Sequence, residues 1–235
     1  MCATCGCGGT RVTEPGHGHG HTHTVDLEAD LLAANDLLAA RNRAAFAEQG
    51  IVAVNLMSSP GSGKTTLLER TVRELVGVRP VVVLEGDQET VLDTERITAT
   101  GVRALQINTG AGCHLDADMV ATGLRELAPE PGALLFVENV GNLVCPALFD
   151  LGERARVVIM SVTEGTDKPL KYPHMFRTAD LLLVNKVDLL PYVDFDVARC
   201  VEYARRARPG VPVVEVSATR GDGMAEWVAW LRTLG

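Results

Sequence analysis

From position 51 onward the chain alternates short apolar runs with amphipathic stretches. The runs at 51–57, 80–85, 103–107, 133–138, 155–162, 180–184 and 211–216 are near-continuous, as in strands buried on both faces. Between them, helical spacing covers about 64–76, 90–99, 116–127, 194–207 and 223–233. Repeated βα units predict a mostly parallel sheet flanked by helices, with right-handed crossovers and ligands at the carboxyl ends of the strands. Ahead of this domain, Asp26 to about Gln49 is Ala/Leu-rich, and Leu27, Leu31, Ala34, Leu38 and Phe46 fall roughly on one helical face. Gly50 suits its C-terminal stop. The pattern therefore divides the chain into residues 1–25, a helix over 26–50 packed on the main domain, and the α/β domain 51–235. Residues 1–25 hold too little apolar material to offset ordering entropy, so a tail disordered without a ligand is expected.

The first strand opens at once into Ser58-Ser-Pro-Gly-Ser-Gly-Lys-Thr-Thr66 and then a helix. Strand, glycine-rich turn, helix is the context of a P-loop that cradles phosphate. Gly61 and Gly63, with Ser62 between them, let backbone N–H groups turn inward around an anion. Lys64 supplies a point charge for the β- and γ-phosphates, the hydroxyl of Thr65 suits Mg²⁺, and Thr66 continues the cradle. Ser58 stands where the usual loop has glycine.

The sixth run ends in Asn185-Lys-Val-Asp188. A carboxylate at Asp188 can accept from guanine N1–H and the exocyclic amine, which adenine cannot offer. Asn185 can hold the loop or contact the base, and the stem of Lys186 can cover the ring. One strand later Ser217-Ala218 can present a backbone N–H to guanine O6. The nucleotide expected is therefore GTP. Asp87 and Glu138 end strands two and four and are candidates to hold Mg²⁺, and Gly141 can present its N–H to the γ-phosphate. Lys64, Thr65, Asp87 and Glu138 are assigned to charge and metal placement in phosphoryl transfer, with Asp87 and Asp93 as candidates to orient water. Each carboxylate can also be read as a helix cap or a solvated loop acid.

Composition narrows the class. A net charge of −8 argues against a general nucleic-acid binder. Aromatics are only 4%, so the core must be Val, Leu, Ile and Ala. No run approaches a membrane span and the first residues carry no apolar signal region, so a cytoplasmic enzyme is expected. The 6 Cys suggest metal or redox work in such a chain.

Three clusters carry metal-ligand chemistry. Cys2-x-x-Cys5-x-Cys7, with the amine freed if Met1 is removed, offers thiolates and nitrogen that suit Ni²⁺ or Zn²⁺; a redox or disulfide tail is the alternative. His17, His19, His21 and His23 alternate with Gly and Thr and suit metal storage. Cys113-His114 and Cys145 fall after strands three and four, so both can reach one end of the sheet. They form an incomplete tetrahedral set that water or a second subunit would complete. Packed cysteines and a capping histidine are the alternative, and Cys200 reads as core.

Together these residues resemble the hydrogenase maturation GTPases that insert nickel, the HypB family. The carrying segments are the Cys2–Cys7 motif, Asn55–Thr65, Glu85–Thr90, Gly112–Leu115, Val137-Glu-Asn-Val-Gly-Asn-Leu-Val-Cys-Pro146, Asp167–Pro173 and Asn185–Asp188. Ser58 at the head of the phosphate loop is similar to this family. The resemblance implies a GTPase of the signal-recognition, dimerising P-loop class (SIMIBI-type), forming a homodimer in response to nucleotide and metal. It implies a partner, the small nickel carrier HypA, and a target, the large subunit of [NiFe]-hydrogenase. Carried over, Cys2, Cys5 and Cys7 would be the tight nickel site, and Cys113, His114 and Cys145 a domain site for nickel or zinc shared at the dimer interface. Lys168 lies in a loop that in the family is near nucleotide or the partner subunit. Rival readings are a relative serving urease or a cobalamin-dependent mutase, and a metal buffer without hydrolysis.

Overall fold

The computed structural model describes residues 20–87, 92–110 and 112–235, with side chains from residue 29 onward. The cysteine motif, His17 and His19 lie outside the described residues. The elements in chain order are α1 (Gly20–Gln49), β1 (Val52–Ser58), α2 (Lys64–Leu75), β2 (Val81–Asp87), α3 (Leu92–Thr98), β3 (Arg103–Asn108), α4 (Ala117–Leu127), β4 (Leu134–Glu138), β5 (Ala155–Ser161), α5 (Lys168–Lys171), α6 (Pro173–Arg177), β6 (Leu181–Asn185), α7 (Val197–Ala207), β7 (Val213–Glu215) and α8 (Met224–Arg232).

The strands form a 7-stranded sheet of order β3-β2-β4-β1-β5-β6-β7, and every pairing is parallel. This is the P-loop architecture expected from the alternating pattern, with β1 in the middle. Strands β1, β4 and β6 are buried at every position, which explains their unbroken apolar runs. On one face α2 and α8 cover the sheet through Leu67, Leu68, Val72 and Trp227. The indole N–H of Trp227 donates to Thr71 Oγ1 at 2.8 Å, so the large ring is buried without an orphan donor. On the other face α6 and α7 pack over β5 and β6 through Phe176 and Cys200. Cys200 is fully buried and burial pushes its thiol up to about 12, in keeping with a core role.

Three features differ from the sequence pattern. Helix α1 begins at Gly20, so residues 20–25, assigned to the tail, are helical. The expected face of α1 is only partly the buried one: Phe46 is buried and Leu38 half-buried. Leu31 and Ala34 are exposed, whereas Asn35, Ala39, Asn42 and Phe46 are buried. The reason is polar. Asn35 donates to Asp150 O at 2.8 Å and accepts from the Ala117 N–H at 2.9 Å. Asn42 donates to Ala117 O at 2.8 Å and to Leu151 O at 3.1 Å. These amides satisfy loop and helix-end groups that an apolar stripe would leave unpaired. The short helices α5 and α6 have no counterpart in the sequence pattern, because Pro169 and Pro173 punctuate a stretch too short for periodicity.

Candidate functional site

The carboxyl ends of β1, β2, β4 and β6 converge on a cleft of about 390 Å³ lined by the phosphate loop, Glu85, Asp87, Asp93, Arg96, Glu138, Gly141 and Lys186. The loop is wound tightly. Gly63 has φ +91°, and a Cβ there would lie 2.7 Å from Asn185 Nδ2, so this position excludes any side chain. Lys64 Nζ donates to Ser58 Oγ at 3.0 Å, which gives the unusual serine at the head of the loop a part in holding the lysine. Ser59 Oγ donates to Glu164, and Glu164 pairs with Lys168 at 3.6 Å.

The base-side residues are tied to the same loop. Asn185 Nδ2 donates to Ser62 O at 2.9 Å, and Asn185 Oδ1 accepts from the Ala218 N–H at 3.3 Å. Lys186, in the left-handed region at φ 63°, donates through Nζ to Gly61 O at 2.7 Å. Ser217 Oγ donates to Asp188 Oδ1 at 2.6 Å. Gly61, Ser62, Gly63, Asn185, Lys186, Asp188, Ser217 and Ala218 are thus brought together as one connected loop cluster. Thr66 follows at the start of α2, in the cleft wall.

The acidic floor contains a residue that the sequence pattern left unassigned. Glu85, Asp93 and Glu138 have ligand oxygens all within 4.8 Å of one another, while Asp87 lines the same cleft at the strand end. Strand parity contained the signal, since positions 85 and 87 face the same way. The hydroxyl of Thr65 lies 2.9 Å from Glu138 Oε1 and 3.0 Å from Asp93 Oδ2. A hydroxyl has one proton and can satisfy only one of them. Glu138 Oε2 is buried with no hydrogen-bond partner. Burial raises the Glu138 carboxyl, with Lys64 and Thr65 opposing. Burial also pushes Glu85 up to about 7, with the Thr94 hydroxyl opposing and Glu138, Asp93 and Asp87 adding to the rise. Crowded hard oxygens with an orphan lone pair fit a divalent cation such as Mg²⁺.

A second cluster stands on the neighbouring loops. Cys113 Sγ and Cys145 Sγ approach to 2.7 Å, and Cys113 Sγ lies 3.7 Å from His114 Nδ1. Cys145 is fully buried at the start of a short 3-10 turn, Cys145–Ala147. His114 stacks on Phe149 at 3.8 Å between ring centroids. Burial pushes its pKa below the ordinary value, with Asp116 opposing, which favours the neutral ring that can donate a lone pair. Two sulfurs and one imidazole are suited to Ni²⁺ or Zn²⁺.

The two clusters share one framework. Asn139, next to Glu138, accepts from the Leu115 N–H at 3.1 Å and from the Val140 N–H at 3.0 Å, and donates to Asn55 Oδ1 at 3.3 Å. Asn55 in turn donates to Glu153 at 3.2 Å, and Glu153 is bridged to Arg156 at 2.6 Å. A Cβ on Gly86 would strike the Leu115 side chain at 2.6 Å, and one on Gly141 would meet Pro60 at 3.1 Å. The segment carrying Cys113 and His114 is therefore packed on β2, and the segment leading to Cys145 is packed on the phosphate loop.

Comparison with known proteins gives the family. Residues 52–215 match the family model described as the CobW/HypB/UreG nucleotide-binding domain. The hydrogenase maturation factor HypB of Azotobacter vinelandii is 60% identical over 205 residues, which cover 87% of this chain and 68% of that one. The chain belongs to the HypB family of hydrogenase maturation factors. The crystal structure of the family member from Archaeoglobus fulgidus superposes with a TM-score of 0.81 at 43% identity, over 86% of this chain and 100% of that one. The HypB structure from Helicobacter pylori, solved in complex with nickel, gives a TM-score of 0.79 at 36% identity, over 85% of this chain and 94% of that one. A nucleotide-binding α/β domain is thereby established for this chain. No described helix is long and apolar enough to cross a membrane.

Proposed function

We propose that this chain is a GTP-hydrolysing nickel metallochaperone that delivers Ni²⁺ during maturation of the large subunit of [NiFe]-hydrogenase. It acts in the cytoplasm as a homodimer dependent on nucleotide and metal, and receives or passes nickel with a small accessory carrier, HypA. The observation that carries the reading is the segment from Glu138 to Cys145. It begins with a carboxylate in the nucleotide cleft and ends with a thiol of the soft-ligand cluster.

The residues divide the work. Lys64 and the loop N–H groups hold the phosphates, and Asp188, with Asn185, Lys186, Ser217 and Ala218, selects guanine. Thr65, Asp87 and Glu138, joined by Glu85 and Asp93, would hold Mg²⁺, which supplies neutralisation of phosphate charge. Gly141 sits against Pro60 of the phosphate loop, where its N–H can register the γ-phosphate. Cys113, His114 and Cys145 take the cargo nickel, or zinc, and a second subunit or water completes the set. Cys2, Cys5 and Cys7 form a further nickel site. Hydrolysis then resets the Glu138–Cys145 segment and times the release of cargo.

Phosphate release by the purified chain with Mg²⁺ tests the enzymatic half. GTP is turned over and ATP is not, and Lys64→Ala abolishes turnover; equal rates with both nucleotides would contradict it. A deletion strain tests the biological half. Loss of hydrogenase with urease intact supports the proposal, and the reverse favours the urease-serving alternative.

A further inference from the structure

Arg96 lies on α3 and lines the nucleotide cleft. It has no part in the assignments made so far. One of its guanidinium nitrogens lies 3.2 Å from Thr66 Oγ1 and 2.9 Å from Glu69 Oε2. The other lies 3.3 Å from Asp93 Oδ1. Asp93 in turn reaches the Thr65 hydroxyl. The guanidinium thus pairs with one of the carboxylates that would meet the metal, on the wall of the cleft that would hold phosphate. Its charge is felt at the buried Glu138, where it favours the ionised carboxylate.

The two lysines that line the cleft already have roles in the proposed function, Lys64 at the phosphates and Lys186 at the base. Lys64 Nζ is bonded to Ser58 Oγ and Lys186 Nζ to Gly61 O. Arg96 carries the only guanidinium among the described residues that line the cleft. Its side chain is 44% exposed, and its acidic partners Glu69 and Asp93 are 23% and 43% exposed. Ion pairs this open to solvent are weak, so exchanging carboxylate for phosphate oxygens costs little. A planar fork of donors is also the side chain best matched to a phosphoryl group.

We propose that Arg96 is a catalytic residue acting in cis, exchanging its ion pairs with Glu69 and Asp93 for the phosphates when nucleotide binds. In the reaction a water oxygen bonds to the γ-phosphorus while the bond from that phosphorus to the β–γ bridging oxygen breaks. GDP keeps the bridging electrons, inorganic phosphate is formed, and one proton passes to solvent. Arg96 donates to the oxygens on which charge accumulates and is unchanged by the step. The assignment rests on the GTPase reading above.

The test is steady-state GTP hydrolysis by the full chain with Mg²⁺, comparing the parent with Arg96→Ala, Arg96→Lys and Glu69→Gln. GDP affinity and thermal midpoint are measured on each. Arg96→Ala is expected to lose about 100-fold in kcat with KM moved by no more than about 3-fold. Arg96→Lys keeps the charge without the fork and is expected to lose about 10-fold with an unchanged midpoint; it decides the matter if the alanine variant does not fold. Glu69→Gln removes one of these ion pairs and is expected to keep the parental kcat or exceed it. A parental kcat in both Arg96 variants would overturn the assignment alone. A loss in Glu69→Gln as large as in Arg96→Ala would reduce Arg96 to a structural ion pair. No GTP turnover by the parent chain would overturn the GTPase reading and this assignment with it.

Discussion

Glu85 and Glu138 are register partners on the adjacent parallel strands β2 and β4. They are 3% and 5% exposed and, with Asp93, form one oxygen cluster. Like charges side by side in a sheet are unfavourable, and burial amplifies the cost. The chain keeps this frustration at the point where the proposed Mg²⁺ would sit.

Burial of Glu85, with Glu138, Asp93 and Asp87 adding to it, sets a pH dependence without metal. Glu85 is raised in the fold from its ordinary 4.5 to about 7. Between those values the folded state binds more protons than the unfolded state, so stability falls as pH rises. The loss is about 3 kcal/mol across the window and is complete above pH 7. Glu85→Gln should flatten the slope and stabilise the metal-free chain at pH 8, as read by denaturant unfolding from pH 5 to 8. Mg²⁺ must displace the proton, so its affinity should rise up to about pH 7 and then level.

Asn139 supports both clusters. Asn139→Ala leaves the buried Leu115 and Val140 N–H groups without their acceptor, at a cost of about 2–3 kcal/mol. It should also loosen the segment carrying Cys113 and His114 and weaken metal binding there. Thermal unfolding and a nickel titration check the two effects separately. Asn139→Asp retains an acceptor for the N–H groups, so it should recover part of both.

Much of this was legible from the sequence, and the gaps have physical causes. Parallel strands buried on both faces print unbroken apolar runs, so the sheet could be read directly. The phosphate loop and Asn185–Asp188 cluster were legible because their chemistry needs fixed residue types at fixed spacing. Helix α1 was misread in its facing because its contact uses Asn35 and Asn42, whose worth depends on carbonyls and N–H groups more than 70 residues away. Glu85 escaped assignment because its meaning comes from Glu138, on a strand adjacent in the sheet but distant in the chain. Arg96 escaped because a helix of 7 residues shows too little periodicity to say which way its side chains face.

The guanine assignment has its own test. Asp188 is held through one oxygen by Ser217 Oγ at 2.6 Å. Asp188→Asn replaces an acceptor with a donor and should lower the preference for GTP over ATP by about 100-fold or more, measured by competitive nucleotide binding. Selectivity unchanged from the parent would remove Asp188 from the base site.

For the soft-ligand cluster, Cys113→Ala with Cys145→Ala in the full chain should abolish one class of nickel sites while sites on the Cys2, Cys5 and Cys7 motif persist. Equilibrium dialysis at pH 7.5 reads the stoichiometry. Cys145 is fully buried, and loss of its side chain from a tight environment should also lower the thermal midpoint.

In the proposed function, cargo and γ-phosphate are coupled through the Glu138–Cys145 segment. The most direct test of this coupling is the nickel affinity of the domain site, isolated as the difference between the parent chain and the Cys113→Ala/Cys145→Ala variant. The affinity is measured with GDP and again with a non-hydrolysable GTP analogue. The two affinities should differ by about 5-fold or more, as expected of coupled sites. Identical affinities in both states would contradict it.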